Sequence, residues 1–209
     1  MPRIVDKKIE AYINGLLPKS DAVLAEMERY ASKRDIPIIG PACGRLLMLL
    51  TQISGAKRIF EMGSAIGYST IWFARAAGTD ATVYYTDGDP ENAERAATNF
   101  ERAGVADRVR ILTGDAVELI DSVTGNFDLI LIDVNKRQYP AALEKAVPRL
   151  RSGGLLVTDN VLWYGRAASQ AKDEDTRAIQ KFNRAVYAAK DLFTVIVPLR
   201  DGVAVCRKN

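Results

Sequence analysis

Residues 58–70 constrain the fold of this chain more than any other segment. They read Arg-Ile-Phe-Glu-Met-Gly-Ser-Ala-Ile-Gly-Tyr-Ser-Thr. A short apolar run ends beside an acid, two glycines follow, and a helical pattern begins after them. This order predicts a strand, a tight turn and a helix, the opening unit of a nucleotide-binding α/β sheet. Gly63 permits a sharp turn with either sign of φ, and we expect Gly67 to let the backbone approach a ligand closely.

The polar groups of this turn indicate the kind of ligand. A dinucleotide-binding turn favours Gly-x-Gly-x-x-Gly, but here Ala65 replaces the middle glycine and Glu61 precedes the first one. A carboxylate at this place repels a pyrophosphate. It suits a ligand that carries an ammonium group, such as S-adenosylmethionine (SAM), and Glu61 can accept hydrogen bonds from it. The alternative is a purely structural turn whose glycines bind nothing.

Length and composition predict an ordinary globular protein. A chain of 209 residues, 48% hydrophobic and 26% charged, is long enough for one well-buried α/β domain. The longest apolar runs are interrupted, which predicts no membrane span, and the first residues lack a signal-peptide layout, so we expect a cytoplasmic location. Cys43 and Cys206 stand far apart, outside any Cys-x-x-Cys pattern, and are expected to be reduced and half-buried.

The absence of histidine excludes several kinds of chemistry. With no His in the sequence, Ser-His-Asp and Cys-His catalysis and His-ligated zinc are ruled out. Acid–base work then falls to Lys, Asp, Glu or Tyr, and a metal ion is expected to have oxygen ligands. The formal net charge of +3 is too small to predict nucleic-acid binding.

Periodicity predicts one domain over residues 1–209, made of an N-terminal helical addition (1–54) and an α/β core (55–209). Helices are expected at 4–17, 21–33 (with Ser20 as N-cap), 43–53, 68–77, 90–103, 116–122, 139–150 and 173–189. Strands are expected at 58–62, 82–87, 109–113, 127–133, 154–159, 193–198 and 203–207. Alternating strands and helices predict a Rossmann-like fold, a mostly parallel seven-stranded sheet with helices on both faces. Asp201-Gly202 closes it with an antiparallel hairpin.

Acids stand at the carboxyl ends of several predicted strands, where ligands bind in such sheets. Asp87 is placed to accept hydrogen bonds from a ribose. Asp89 competes for this role, although its position before Pro90 also suits a helix N-cap. Asp115 is placed to read the amine of a purine, and its alternative role is again that of an N-cap.

Two further strand-end acids, Asp133 and Asp159, are expected to lie side by side at the edge of the sheet. Two carboxylates at such a short distance repel each other unless a cation lies between them. With Asn160 they form an all-oxygen ligand set that suits Mg²⁺. The alternative is that Asp159 caps a turn and that Asp133 is merely a strand-end acid.

Lys136 follows Asp133 by one turn and can point at a substrate hydroxyl as a general base, because a nearby cation eases loss of its proton. The alternative is a solvated lysine beside Arg137. Trp163 and Tyr164 can form an aromatic lid over a planar substrate. They serve equally well as a packing or dimer contact.

The motifs together resemble those of the class I SAM-dependent, cation-dependent O-methyltransferases, the family that includes catechol and caffeoyl-CoA O-methyltransferases. The similarity is greatest to small bacterial members and runs from about residue 36 to the C-terminus. It rests on Ile-Ile-Gly-Pro-Ala-Cys-Gly, Glu-Met-Gly-Ser-Ala-Ile-Gly-Tyr-Ser-Thr, Thr-Asp-Gly-Asp-Pro, Gly-Asp-Ala, Leu-Ile-Asp-Val-Asn-Lys-Arg-Gln-Tyr, Asp-Asn-Val-Leu-Trp-Tyr-Gly and Pro-Leu-Arg-Asp-Gly.

The resemblance implies a role for each matching residue. Cofactor contacts are implied for Ile39, Glu61, Gly63, Ser69, Asp87, Asp115, Ala116 and Asp133. Within that set, Ser69 would hold the SAM carboxylate and Ile39 would give a backbone contact at its methionine end. The implied metal ligands are Asp133, Asp159 and Asn160. Lys136, the implied general base, and Trp163 would contact the substrate. The sequence departs from the family pattern at two positions. The family usually has Glu where Asp87 stands, and it often has Asp where Asn135 stands.

The expected activity is methyl transfer from SAM to a hydroxyl of a small catechol-like or phenolic acceptor held on Mg²⁺. Two alternatives are methylation of a hydroxylated uridine in tRNA and a NAD-binding oxidoreductase. Another is a SAM-binding module without catalysis. We expect a homodimer with no membrane association, and the N-terminal helices at either the acceptor side or the dimer interface.

Overall fold

The computed structural model describes residues 4–209. Its α-helices are α1 Lys7–Leu16, α2 Ala22–Arg34, α3 Gly40–Ser54, α4 Tyr68–Ala77, α5 Pro90–Arg102, α6 Ala116–Ser122, α7 Tyr139–Arg149 and α8 Glu174–Ala188. Its strands are β1 Arg58–Met62, β2 Thr82–Asp87, β3 Val109–Thr113, β4 Phe127–Ile132, β5 Leu150–Thr158, β6 Leu192–Val197 and β7 Val203–Lys208. Short 3₁₀ turns occupy Ala106–Arg108, Lys136–Gln138 and Trp163–Ala168.

The strands form one seven-stranded sheet in the order β3-β2-β1-β4-β5-β7-β6. Strands β1 to β5 pair in parallel, and β7 pairs antiparallel with both β5 and β6. The predicted fold class is therefore confirmed.

The alternation of side chains along the strands builds a core on each face of the sheet. Ile59 and Leu129 pack with helices α2 to α5, whereas Phe60 and Ile130 pack with α6 to α8. Successive strand residues point to opposite faces, so continuous apolar strands fill both layers. Each such buried side chain stabilises the fold by about 1.5–3 kcal/mol.

Strand register places the functional acids next to each other. Met62 pairs with Ile132, which pairs with Thr158, so the three central strands end at one level. The backbone ladder continues one step further, because the amide of Asp133 donates to Met62 O at 2.8 Å and that of Asp159 to Ile132 O at 3.2 Å.

The second and third helices belong to the same packed layer as the sheet, with Leu24, Met27 and Leu47 buried in it. In α1, by contrast, no described side chain is buried. The prediction that Ser20 caps α2 was wrong. The carboxylate of Asp21 accepts from the first amides of the helix, and the Ser20 hydroxyl donates to Glu28 instead.

Other boundaries shift for identifiable reasons. Helix α1 is shorter than predicted because Asp6 caps it, and α3 begins at Gly40 with Pro41 in its first turn. Strand β5 begins at Leu150, because Gly153 and Gly154 lie inside the strand rather than before it. A side chain at 154 would come within 3.0 Å of two backbone carbonyls.

Cys43 and Cys206 are free, as predicted, but they are fully buried rather than half-buried.

Candidate active site

An open cleft of about 1620 Å³ lies at the carboxyl edge of the parallel strands. Ten of the twelve predicted site residues line it: Ile39, Gly63, Ser69, Asp87, Asp115, Ala116, Asp133, Lys136, Asn160 and Trp163. The other two, Glu61 and Asp159, lie behind the lining. The sequence motifs therefore converge on a single cavity, as the topology predicts.

The turn after β1 is shaped by two close contacts. Gly63 has φ +85°, and a Cβ there would lie 2.3 Å from the carbonyl oxygen of Asp133, so only glycine fits beside β4. A Cβ at Gly67 would collide with the ring of Phe100 at 2.5 Å, so this glycine permits the packing of α4 on α5.

Glu61 is fully buried behind the cleft. Its two carboxylate oxygens accept hydrogen bonds from the hydroxyls of Ser69 and Thr70. Burial raises the pKa of Glu61 to about 7, against these hydrogen bonds, which lower it. That Glu61 also accepts a hydrogen bond from a ligand stays a prediction. Ser69 lines the cleft, whereas Glu61 lies behind it.

The raised pKa of Glu61 predicts a pH dependence of stability. Between about pH 4.5 and 7 the unfolded chain releases this proton while the folded chain keeps it, so the free energy of unfolding falls as pH rises. The shift from 4.5 to about 7 corresponds to roughly 3 kcal/mol. Glu61→Gln should remove this part of the slope in urea unfolding measured from pH 4.5 to 8. The exposed Glu101→Gln is the control, and an unchanged slope in Glu61→Gln would contradict the assignment.

Asp87 is held by its own neighbourhood at the end of β2. Its carboxylate accepts from the amides of Ala65 and Asp89, at 2.9 Å each, and from the side-chain amide of Asn92 at 3.1 Å. Asp89 caps α5 by accepting from the amide of Glu91. The capping alternative thus holds for Asp89, and Asp87 is the acid fixed against the glycine turn.

Asp115 also serves as an N-cap, accepting from the amide of Val117 at 2.8 Å. Its second oxygen accepts from Gln138 Nε2 at 2.9 Å, and both side chains line the cleft. The sequence interpretation missed Gln138, although it stands only two residues after Lys136.

Lys136 lies at the centre of the second predicted cluster. Its ammonium donates to Asp133 Oδ1 at 3.1 Å, to Asn160 Oδ1 at 3.0 Å and to Tyr139 Oη at 2.6 Å. The side chain is only 12% exposed, so the alternative of a solvated surface lysine is wrong. Tyr139 in turn donates to the backbone carbonyl of Asp159 at 2.8 Å, a link that sequence analysis did not predict.

Asp159 is buried behind this cluster. Its Oδ1 has no hydrogen-bond partner among residues 4–209, and its Oδ2 lies 3.6 Å from Arg200 Nη1. Burial, with the charge of Asp133 adding to it, raises the pKa of Asp159 to about 7. A buried carboxylate oxygen without a hydrogen-bond donor destabilises the fold unless a cation binds to it. No group of three or more His, Cys, Asp or Glu side chains in the described chain forms a candidate metal site.

The residues after Asp159 are held in an unusual backbone conformation. Asn160, Trp163 and Tyr164 all have positive φ, between 48° and 57°. The carboxylate of Asp201 accepts from the amide of Tyr164, and the guanidinium of Arg166 stacks on the Trp163 ring at 4.3 Å. Strained non-glycine residues persist where surrounding contacts over-determine them, often at functional sites. Trp163 and Tyr164 both line the cleft, as the lid interpretation requires.

Comparison with known proteins identifies the family. Residues 18–209 match the model of a family described as O-methyltransferase. The chain belongs to the O-methyltransferase family. The family resemblance seen in the sequence and the predicted enzyme class are thereby confirmed. The family assignment replaces the alternative of a NAD-binding oxidoreductase.

Individual relatives agree with this assignment. A catechol O-methyltransferase from Niastella koreensis is 34% identical over 210 residues, covering 95% of each chain. A catechol O-methyltransferase from Mycobacterium tuberculosis is 34% identical over 176 residues, covering 83% of this chain and 80% of its own. The crystal structure of an O-methyltransferase from Bacillus cereus in complex with SAH superposes with a TM-score of 0.88 at 28% identity, covering 97% of both chains. No helix among residues 4–209 of this O-methyltransferase is long and apolar enough to cross a membrane.

Proposed function

We propose that this O-methyltransferase transfers the methyl group of SAM to a hydroxyl of a small catechol-like or phenolic acceptor, with a divalent cation at Asp133, Asp159 and Asn160. The observation that carries the proposal is the convergence of Lys136 with these oxygen ligands beside the cleft that Gly63 and Asp87 line. Two relatives that are 34% identical are catechol O-methyltransferases.

SAM is assigned to the part of the cleft beside β1, β2 and β3. Gly63, Ser69, Asp87 and Asp115 line it there. The related Bacillus cereus enzyme was crystallised with SAH, the product that SAM leaves after methyl transfer. SAM supplies an electrophilic methyl group on a sulfonium. The task of the protein is then to orient the acceptor oxygen toward it and to remove the acceptor proton.

The donor set fits a hard divalent cation. Two carboxylates and one amide oxygen are ligands that Mg²⁺ prefers, and the buried Asp159 Oδ1 has no donor among residues 4–209. When bound, the cation would act as a Lewis acid on the acceptor hydroxyl. Asp133, Asp159 and Asn160 would hold it, and Lys136 beside them would take the acceptor proton.

The ion pairs of Arg137 and Arg166, the arginines nearest in sequence to Lys136 and Trp163, favour a small acceptor over tRNA. Arg137 pairs with Glu174 and Asp175, at 2.7 and 3.0 Å, and Arg166 lies 3.7 Å from Asp173. Basic side chains that are already neutralised by acids contribute little to phosphate binding. The homodimer stays a prediction.

The test is a methyl-transfer assay with labelled SAM, with and without Mg²⁺. Catechol should be methylated and phenol much less, because only catechol presents two adjacent oxygens to one cation. tRNA carrying hydroxylated uridine should give no product. Labelling of that tRNA with no labelling of catechols would replace the proposed acceptor, and calorimetry that finds no SAM binding would overturn the proposal itself.

A further inference from the structure

The turn between β6 and β7, residues 198–202, contacts two separate parts of the cleft wall; we call it the closing turn. Arg200 and Gly202 have φ of +50° and +84°. A Cβ at Gly202 would lie 2.3 Å from Leu162, so the turn packs tightly on the residues after β5. A non-glycine residue such as Arg200 holds this conformation only when its contacts compensate the strain.

The first contact is with the aromatic segment, residues 161–164. The amide of Val161 donates to Gly202 O at 3.0 Å, and the amide of Leu162 to Asp201 O at 2.9 Å. The amide of Tyr164 donates to the side chain of Asp201. Three hydrogen bonds therefore fix the segment that carries Trp163 to the closing turn.

The second contact is with the cover segment, residues 36–39, which lines the cleft before α3. Arg200 Nη1 donates to the backbone carbonyl of Ile39, 161 residues earlier in the chain. The same nitrogen lies 3.6 Å from Asp159 Oδ2, where its charge faces the buried carboxylate. The Arg200 side chain is 34% exposed, so this bridge is only partly buried.

We propose that Arg200 is a positioning residue that couples the cover segment to the aromatic segment, so that SAM binding orders the acceptor end of the cleft. Arg200 holds the cover segment through Ile39, and its own turn holds the aromatic segment through Asp201 and Gly202. A change at the cover segment therefore reaches Trp163 through one side chain and one short turn. This inference rests on the proposed function, because it takes SAM to be the ligand beside Ile39.

The surrounding chemistry supports a fixed position for Arg200. The buried side chain of Cys43 lies beside the guanidinium. Arg200 thus faces one carboxylate, one thiol and one carbonyl. A guanidinium suits this arrangement, because its planar head directs Nη1 to the Ile39 carbonyl while its charge faces Asp159. The ammonium of lysine is a point charge on a flexible stem and fixes the direction of its hydrogen bonds less.

The test measures backbone amide exchange by mass spectrometry and SAM affinity by calorimetry on the full chain. In the wild type, SAM should slow exchange in the cover segment and also in the aromatic segment. In Arg200→Gln, SAM affinity should fall by about tenfold, within the usual 5- to 150-fold range of coupling between sites, and the aromatic segment should lose its protection. Arg200→Lys should restore part of the affinity through its charge but little of the protection.

The matched control is Arg110→Gln. Arg110 also donates to backbone carbonyls, those of Asp107 and Val109, but it lies on β3 at the opposite edge of the sheet. It should leave both measurements unchanged. Thermal unfolding checks that each variant folds, and Arg200→Lys decides the question if Arg200→Gln does not fold.

The outcomes separate the two proposals. The coupling would be overturned if SAM protected only the cover segment in the wild type. It would also be overturned if SAM protected the aromatic segment equally in the wild type and in the Arg200 variants. Either result would leave the proposed function intact. A wild-type chain that takes up no SAM would overturn the proposed function and this inference with it.

Discussion

Replacing Lys136 with alanine is expected to lower turnover by about 10²- to 10⁴-fold, the usual contribution of a positioned general base. SAM affinity should stay near its wild-type value, because the residues assigned to SAM lie beside β1, β2 and β3. Single-turnover methyl transfer and calorimetric SAM titration measure the two effects separately.

The expectation follows from where the amine is held. Lys136 Nζ lies within 3.1 Å of Asp133, Asn160 and Tyr139, beside the ends of β4 and β5. No other lysine lines the cleft among residues 4–209. Its removal takes away the nitrogen placed to receive the acceptor proton but leaves the oxygen ligands in position.

Two comparisons distinguish a general base from a structural lysine. Activity of Lys136→Ala should recover in part at high pH, where the acceptor hydroxyl ionises without help. Lys145→Ala, which removes an exposed lysine paired with Asp121, should leave turnover unchanged. Unaltered turnover in Lys136→Ala would remove the lysine from the proposed mechanism.

Much of this site could be predicted from the sequence because the fold makes strand ends converge. Apolar strands that alternate with helices predict a parallel sheet, and such a sheet brings Gly63, Asp87 and Asp133 to one edge. The acid-rich strand ends therefore converge on one cleft, as the fold predicts. The register that aligns Met62, Ile132 and Thr158 then sets which acids are neighbours.

The sequence could not predict contacts between residues that lie far apart in the chain. Nothing near Ile39 in the chain indicates that Arg200 reaches its carbonyl, because the pair is 161 residues apart. Burial is equally hidden, since Glu61 and Asp87 read alike as strand-end acids. Only packing shows that Ser69 and Thr70 shield Glu61 from the cleft whereas Asp87 lines it.

Local conformation is the third part that the sequence did not reveal. Ala65, Trp163 and Tyr164 adopt positive φ, which their residue types disfavour. Tertiary hydrogen bonds hold these conformations, as when the hydroxyl of Tyr85 donates to Ala65 O and Asp201 accepts from Tyr164. Propensity predicts what a segment prefers alone, and here the surrounding fold overrides it.

Asp159→Asn is expected to abolish Mg²⁺-dependent turnover, and removal of divalent cations with EDTA should do the same to the wild type. Asparagine keeps the shape of the side chain but removes one of the two negative charges of the proposed ligand set. SAM affinity should change little in either case, since Asp159 lies behind the cleft lining and not among the residues assigned to SAM.

Stability supplies a second readout that does not depend on activity. A cation that binds only the folded state stabilises it, by about 2.7 kcal/mol at a concentration one hundred times its Kd. Mg²⁺ should therefore raise the urea midpoint of the wild type and leave that of Asp159→Asn in place. In EDTA the variant should be at least as stable as the wild type, because it no longer buries a carboxylate oxygen that lacks a donor among residues 4–209. The control is the exposed Asp107→Asn, which should respond to Mg²⁺ as the wild type does. Full turnover of the wild type in EDTA would contradict the cation-assisted mechanism.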